Sequence, residues 1–310
     1  MPGQVVLSPK GPYDLGLSVR AGFRFSPDKP KAPDLYQAAV RFGSRTSLME
    51  VRERNRNPVS LEVGFRPASS KEKMRELAEW ILHTDLDLRP FYLCSRGHAT
   101  FGPLIKSLRG LIPMRAPSLF VMAVTAITEQ QISLVAAYRV RERMIESYGE
   151  KVGGRWAFPT PEALARLSVR ELKSCGLSTR KAEYIIGLAR RITDGDLDLD
   201  KIKSLSDADA RAFCMEIRGL GPWAADYILV RGLGRTDVVP ADDLGLQKLV
   251  GLYLGDGKRL TAPQVRAAME PFSPFRGIAA FYLLVHYRLI KWPENRVEGD
   301  AKEQTRRQET

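Results

Sequence analysis

The segment 217–226, with the sequence IRGLGPWAAD, constrains the local fold more than any other part of this chain. Gly219 and Gly221 can adopt the positive φ that a tight turn needs, and they allow a ligand to approach the backbone closely. Pro222 suits the first position of a helix, because an N–H there has no partner within the helix. The segment therefore predicts a helix, a glycine turn and a second helix, whose unpaired N–H groups can hold a phosphate.

An acidic residue follows this turn, because Asp242 lies 21 positions after Gly221 and is itself followed by Asp243. Aspartate is a common N-cap of an apolar helix such as the one predicted over 243–254. The helix dipole and N–H groups also keep a carboxylate ionised there, so that it can stabilise positive charge developing in a sugar ring. The spacing does not choose between Asp242 and Asp243 for either role. A phosphate site near a lone carboxylate indicates chemistry on a nucleic acid.

Composition supports a polyanionic partner, because the chain of 310 residues carries a net charge of +12 and has a pI of about 9.7. The cysteines are too scattered for a disulfide framework, a zinc site or a cysteine-ligated iron–sulfur cluster, and they indicate a reducing compartment. We expect no signal peptide and no membrane association, because the first residues lack an apolar segment and no apolar run is long enough to cross a bilayer.

The hydrophobic pattern predicts a mainly α chain with an α+β N-terminal domain. Residues 1–88 form a small antiparallel sheet domain, with strands over 47–54 and 59–66 and a helix over 71–84. Residues 89–292 are helical, and residues 293–310 form a charged, disordered tail. One long helix runs from Ser118 to Gly149, and the predicted hairpin occupies 206–233. The other predicted helices are 161–175, 179–193, 206–217, 222–233, 243–254, 262–271 and 275–290.

Several other residues have both a structural and a functional interpretation. Trp223 and Tyr227 share one helix face, where they are either core residues or a surface on which a flipped base stacks. Gln130 and Gln131, inside the predicted helix, either face solvent or line a groove that meets a duplex. The basic residues near the turns are either solvated or contact phosphates; they are Arg180, Lys181, Arg231, Arg235 and Lys248.

The glycine turn, the aromatic residue after it and the downstream Pro240-x-Asp242 together resemble the helix-hairpin-helix (HhH-GPD) DNA glycosylase superfamily, and especially the bacterial 3-methyladenine DNA glycosylase II branch. Three more segments resemble motifs of that branch, and a fourth, 12–14, resembles its entry into the N-terminal strand. The three segments are 127–133 (ITEQQIS), 172–190 and 274–279 (PFRGIA). The resemblance implies a small antiparallel sheet domain followed by two helical subdomains.

The resemblance also assigns roles to individual residues. It selects Asp242 as the catalytic acid, because that aspartate is the second residue after the motif proline. Trp223 stands where bifunctional members carry a Schiff-base lysine, which implies a monofunctional enzyme. The remaining assignments place Trp223, Tyr227, Asp243, Leu284 and Gln130 in the base pocket, and Gly219, Leu220, Gly221, Gln131, Arg180, Lys181 and Lys248 at the DNA.

Three of these positions depart from the pattern of the branch. Gln131 replaces a leucine that wedges into the duplex, Leu284 replaces a pocket tryptophan, and Asp243 replaces a pocket tyrosine. The resemblance therefore implies a base pocket that is less aromatic and more acidic than in the relatives, and the range of substrates stays open.

The resemblance implies an enzyme that flips a damaged, alkylated base out of double-stranded DNA and hydrolyses its N-glycosidic bond in base excision repair. No cofactor is required, although a monovalent cation can bind the main-chain carbonyls of Met215, Ile217 and Leu220. We expect a monomer in the cytoplasm (nucleoid) of a prokaryote or the nucleus of a eukaryote. Two alternatives remain: an 8-oxoguanine-class glycosylase with lyase activity, and a non-catalytic DNA-binding protein that recognises lesions.

Overall fold

The computed structural model describes residues 3–22 and 35–291, which form two units. The first unit comprises the described residues up to Leu88 together with Gly110–Val238, and the second comprises Arg89–Arg109 and the residues from Val239 onward. The predicted tail over 293–310 lies outside the described residues. No helix in the described part of the chain is long and apolar enough to cross a membrane.

The secondary structure is mainly helical, with a small antiparallel sheet near the N-terminus. The strands are β1 (Gln4–Leu7), β2 (Leu35–Phe42), β3 (Arg45–Arg56), β4 (Val59–Arg66), β5 (Glu150–Val152) and β6 (Arg155–Ala157). The helices are α1 (Leu15–Ala21), α2 (Lys71–Leu82), α3 (Arg89–Ser95), α4 (Phe101–Ser107), α5 (Leu119–Glu129), α6 (Leu134–Tyr148), α7 (Pro161–Ala165), α8 (Val169–Ser174), α9 (Thr179–Thr193), α10 (Asp207–Met215), α11 (Pro222–Ile228), α12 (Leu244–Leu254), α13 (Ala262–Met269) and α14 (Arg276–His286).

The sheet of the first unit is antiparallel, with the strand order β1-β4-β3-β2 among the described residues. The two predicted strands are confirmed as neighbours, because Val51 pairs with Val63 and Met49 pairs with Phe65. Alternating residues of β4 are buried, as the period-2 pattern predicts. A second, two-stranded sheet of β5 and β6 has no counterpart in the predicted elements.

The predicted long helix from 118 to 149 is wrong, because the chain forms α5 and α6 with a loop between them. Gln131 in that loop has a φ of 53°, in the left-handed region that stops a helix. Ser133 then starts α6 by accepting a hydrogen bond from the N–H of Ala136 at 3.2 Å. Gln130 and Gln131 therefore lie in a loop and not inside a helix.

Other helices differ from the predictions at their ends. The predicted helix over 161–175 is divided into α7 and α8, because Ser168 and Glu171 form a capping box that begins a new helix. Three α-helices continue into a π or 3₁₀ turn. These turns are Leu229–Leu233 after α11, Glu270–Phe272 after α13 and Tyr287–Lys291 after α14.

Each unit has apolar residues that anchor the segments of interest. In the first unit, Ile127 of α5 and Ile185 of α9 belong to one hydrophobic cluster with Leu220 of the glycine turn and Ala224 of α11. The glycine turn therefore rests on a packed core, which holds it in one position. In the second unit, Phe91 packs edge-to-face against Tyr282 of α14, with ring centroids 5.2 Å apart.

Candidate functional site

The glycine turn between α10 and α11 contains two glycines with different geometry. Gly219 has a φ of 97°, and a Cβ at this residue would lie 2.6 Å from ring atoms of Tyr184. Gly221 is extended, with a φ of −89° and a ψ of −175°, and a Cβ there would meet nothing within 4 Å. The prediction of positive φ at both glycines is therefore correct only for Gly219, where the turn itself bends. Gly221 is instead the N-cap of α11 and leaves its backbone open to a ligand.

A hydrogen-bond network connects the loop after α5 to this turn. The side-chain amide of Gln130 donates to the carbonyl of Gly219 at 2.8 Å. The Lys181 ammonium donates to the carbonyls of Thr128 and Gln130 at 2.9 and 2.6 Å. Burial lowers the pKa of Lys181, and the Glu129 carboxylate partly offsets this shift. Gln130, predicted at the pocket, therefore braces the glycine turn, and Lys181, predicted at the DNA, braces the loop that carries Gln130.

The loop between α5 and α6 and the first turn of α6 also expose apolar side chains. Gln131 is exposed at the residue with positive φ, and Ile132, Leu134 and Val135 follow it with exposed fractions of 41%, 39% and 58%. These exposed aliphatic side chains form an apolar surface on which nucleobases or sugars can pack. The sequence analysis proposes Gln130 and Gln131 for this surface but not the aliphatic residues after them, because it places the segment inside one helix.

Trp223 and Tyr227 stack on each other one turn apart along α11. Their ring centroids are 5.1 Å apart and the ring planes are inclined by 25°. Tyr227 belongs to the hydrophobic cluster and is only 8% exposed, whereas Trp223 is partly buried and packs against that cluster. Trp223 thus keeps accessible surface for a ligand, while Tyr227 supports it from the core.

A buried charged network that the sequence analysis did not identify lies behind this aromatic pair. The Tyr227 hydroxyl donates to Glu129 Oε2 at 3.0 Å, and Arg141 donates to Glu129 Oε1 at 2.8 Å. The Glu129 and Arg141 side chains are 5% and 1% exposed. Burial first, and then the Glu129 charge, raise the pKa of Tyr227 well above its usual value. The only sequence signal for this network was that Glu129 and Arg141 each lie on an otherwise apolar helix face.

The two adjacent aspartates have different contacts. Asp243 is the N-cap of α12, because its Oδ1 accepts the N–H of Leu246 at 2.7 Å. Asp242 is 41% exposed at its side chain, and its Oδ2 lies 3.2 Å from Arg266 Nη2 of α13. Asp243 therefore caps α12, and the carboxylate of Asp242 is not needed for that role. Arg266 is a second residue that the sequence reasoning missed, since nothing in the sequence pairs it with residue 242.

Hydrogen bonds hold the segment that carries Asp242 in a fixed turn. The Asp243 N–H donates to the Pro240 carbonyl at 2.9 Å, and the Gln247 side-chain amide donates to the Ala241 carbonyl at 3.0 Å. Ala241 is fully buried. The backbone on both sides of Asp242 is thus anchored, while its carboxylate points to where solvent can reach it.

The other predicted site residues lie on several elements. Arg180 and Lys248 are exposed, Leu284 is partly buried on α14, and the Leu220 side chain is buried in the core. The Ile217 carbonyl accepts the N–H of Leu220 at 2.9 Å. No group of three or more His, Cys, Asp or Glu side chains that could hold a metal ion occurs among residues 3–22 and 35–291. The glycine turn and the stacked aromatic pair belong to the first unit, and Asp242 belongs to the second.

Comparison with known proteins identifies the family. Residues 124–274 match the HhH-GPD superfamily of base excision DNA repair proteins. The chain is 30% identical to a DNA-3-methyladenine glycosylase of Bacillus subtilis over 217 residues, which cover 69% of this chain and 71% of that protein. The chain belongs to the HhH-GPD superfamily. The matched range of this HhH-GPD protein contains both the glycine turn and Asp242.

Solved structures of DNA glycosylases share the fold of this HhH-GPD protein. A 3-methyladenine DNA glycosylase from Archaeoglobus fulgidus superposes with a TM-score of 0.80 at 25% identity, covering 92% of this chain and 99% of that one. A 3-methyladenine DNA glycosylase from Schizosaccharomyces pombe, in complex with abasic DNA, has a TM-score of 0.58 at 25% identity, covering 65% of this chain and 98% of that one. The predicted fold class is therefore confirmed.

Proposed function

We propose that this HhH-GPD protein is a monofunctional DNA glycosylase that hydrolyses the N-glycosidic bond of alkylated bases in base excision repair. Membership of the superfamily and the names of the relatives, which are 3-methyladenine glycosylases, support this activity. The observation that carries the proposal is the division of roles between the two aspartates. Asp243 caps α12, so the carboxylate of Asp242 is left at the motif position with an exposed oxygen.

Double-stranded DNA would contact the glycine turn. The open space at Gly221 lets a phosphate approach the backbone, and the N–H groups at the start of α11 can donate to it. The exposed Arg180 and Lys248 and the net charge of +12 add attraction that does not depend on sequence. The relative from Schizosaccharomyces pombe was solved in complex with abasic DNA, which supports the same type of ligand here.

The extruded base would stack on Trp223. The Tyr227 ring lies parallel to within 25° behind it, so the two rings form a rigid aromatic surface. An alkylated purine carries a positive charge, which the face of an aromatic ring attracts. The charge also makes the base a good leaving group, so the reaction needs little acid catalysis. Gln131, or the exposed Ile132 beside it, would occupy the gap left in the duplex.

Asp242 would act on the sugar. Loss of the base leaves positive charge on the deoxyribose, and a fixed carboxylate lowers the energy of that transition state. The ion pair with Arg266 engages Oδ2, which leaves Oδ1 to face the sugar or to orient the attacking water. The reaction uses one carboxylate in place of the usual pair of glycoside hydrolases, because the leaving group is already activated.

Two further features of the proposal concern assembly and ions. We propose that a monovalent cation binds the carbonyls of Met215, Ile217 and Leu220, because a carbonyl oxygen such as that of Ile217 has a second lone pair beyond its bond to Leu220. Such a cation would draw a phosphate toward the turn by its charge. We propose that the protein acts as a monomer.

The test is single-turnover base release from duplexes that each contain one damaged base, including 3-methyladenine, hypoxanthine and 8-oxoguanine. We expect the wild type to release the alkylated base and Asp242→Asn to release none while still binding DNA. Asp243→Asn is the matched control, because asparagine caps a helix as well as aspartate does. An inactive Asp243→Asn beside an active Asp242→Asn would overturn the assignment. Borohydride trapping of a covalent complex would identify a lyase instead.

A further inference from the structure

We propose that Glu129 makes the base pocket prefer cationic bases, because it enriches the electron density of the Tyr227 ring on which Trp223 stacks. The inference rests on the proposed glycosylase function and adds a residue that determines specificity. Glu129 acts through the Tyr227 hydroxyl, which donates to Glu129 Oε2 at 3.0 Å.

The direction of this hydrogen bond is determined by its surroundings. Tyr227 is buried, and burial together with the Glu129 charge raises the pKa of its hydroxyl, so the phenol stays protonated and acts as the donor. The Glu129 carboxylate forms a buried ion pair with the Arg141 guanidinium at 2.8 Å. A neutral phenol therefore donates to an anion, which is a strong hydrogen bond that shifts electron density onto the phenol oxygen and ring.

The electron-rich Tyr227 ring influences the proposed ligand surface because it stacks directly on Trp223. The Tyr227 and Trp223 centroids are 5.1 Å apart with the planes 25° from parallel. A cation over the face of an aromatic ring is attracted by the electrons of that face, and the attraction grows when the site is dry. A positively charged base on Trp223 would thus gain more from the Glu129 hydrogen bond than a neutral base of the same shape.

Positive charges near Tyr227 act in the opposite direction. Arg141 and Arg231 are both buried, and each affects the Tyr227 hydroxyl less than Glu129 does. Arg141 donates to Oε1 of Glu129, whereas the phenol of Tyr227 donates to Oε2. The carboxylate oxygen touching the phenol therefore dominates the polarisation of the ring, and removing that one contact should be measurable.

A purely structural role for this network predicts a different result. If Glu129 only held α5, α6 and α11 together, then loosening it would slow the release of every base by a similar factor. A role in specificity changes the ratio of the rates for cationic and neutral bases. The ratio is therefore the decisive readout, and thermal stability is measured beside it.

The experiment compares single-turnover release of cationic 7-methylguanine and neutral hypoxanthine from otherwise identical duplexes. Tyr227→Phe keeps the stacked ring and the Glu129–Arg141 pair but removes the donor. Glu129→Gln combined with Arg141→Met removes the carboxylate without leaving a buried unpaired charge. Tyr138→Phe is the matched control, because Arg141 lies over the Tyr138 ring, 5.0 Å from its centroid, outside the aromatic pair.

We expect Tyr227→Phe and the double variant each to lower the ratio of the two rates by about three- to tenfold, as a weakened cation–π contact implies, and Tyr138→Phe to leave it unchanged. If the wild type releases only 7-methylguanine, the ratio of affinities for the duplexes that contain 7-methylguanine and hypoxanthine replaces the ratio of rates and must show the same pattern. An unchanged ratio in a folded Tyr227→Phe would overturn the inference and leave the glycosylase function standing. A wild type that releases no base would overturn both.

Discussion

Alanine substitutions at the two glycines of the turn should separate folding from DNA binding. Gly219→Ala places a side chain on a residue with a φ of 97°, next to the Tyr184 ring. Gly221→Ala places the same methyl group on an extended residue that has open space around its Cβ. The chemical change is identical and the sites are two residues apart, so each variant serves as the control for the other.

The expected magnitudes follow from this geometry. At Gly219 the left-handed backbone costs an L-residue about 1–2 kcal/mol, and displacing the Tyr184 ring adds about 1–3 kcal/mol. At Gly221 alanine is a poorer N-cap than glycine but restricts the unfolded chain, and these opposing effects leave stability within about 1 kcal/mol of wild type. The methyl group would, however, keep a phosphate from the N–H groups at the start of α11. Loss of a charged hydrogen bond, about 1.5–3 kcal/mol, weakens DNA binding by roughly 10- to 100-fold.

Two measurements check this prediction: the free energy of unfolding from urea titration, and the affinity for damaged and undamaged duplexes at one salt concentration. We expect Gly219→Ala to be destabilised, and Gly221→Ala to be stable but weaker on both duplexes, since a phosphate contact carries no information about the base. Unchanged affinity in Gly221→Ala would refute the assignment of this turn to DNA. A loss confined to damaged DNA would place Gly221 at the base pocket instead.

Two further predictions concern charged groups. Arg266→Gln should slow base release by less than about fivefold, because an exposed ion pair contributes little more than about 1 kcal/mol, and Arg266→Lys should restore the rate; a loss comparable to that of Asp242→Asn would contradict this. Burial and Arg115 lower the pKa of His83 from 6.5 to about 4. The unfolded chain therefore binds a proton below pH 6.5 that the folded chain excludes, so the free energy of unfolding should fall by about 3 kcal/mol by pH 4. His83→Asn, which tolerates the left-handed backbone, should remove that part of the fall in urea titrations; equal pH dependence in both proteins would be the contrary result.

The features that the sequence predicted well depend on short-range signals. The β3–β4 pair follows from alternation of apolar and polar residues, and the turn between α10 and α11 follows from Gly219 and Pro222. Each of these signals lies within a few residues of the element it determines. They predicted the turn that the structure contains, although they overstated how many glycines needed a positive φ.

The break after Glu129 shows why other features were missed. Apolar residues continue on both sides of Gln131, so the periodicity alone extends one helix through the loop. Ser133 was a usable N-cap signal, since its hydroxyl accepts the N–H of Ala136. Its weight was small against a long apolar run. The loop conformation also depends on tertiary contacts, in which Gln130 donates to Gly219 of the glycine turn and Lys181 donates to the Gln130 carbonyl.

The contacts of Glu129 could not be predicted from the sequence for a different reason. Its partners lie 12 and 98 positions away at Arg141 and Tyr227, and no local pattern pairs residues at such separations. The same holds for Asp242 and Arg266, which are 24 positions apart. Polar networks of this kind become visible only when the fold brings their helices together, although they govern the electrostatics of the candidate site.

Two pairs of like residues in this protein divide their tasks in the same way. In the turn, Gly219 meets the requirement of the backbone, and Gly221 is left with open space. Before α12, Asp243 meets the requirement of the helix, and Asp242 is left with an exposed carboxylate. A residue that already satisfies a structural demand is less able to interact with a ligand, because its polar atoms or its free space are used. The neighbour that keeps open space or an exposed polar group is therefore the better candidate for function, and in both pairs it is the residue that we propose to meet the DNA.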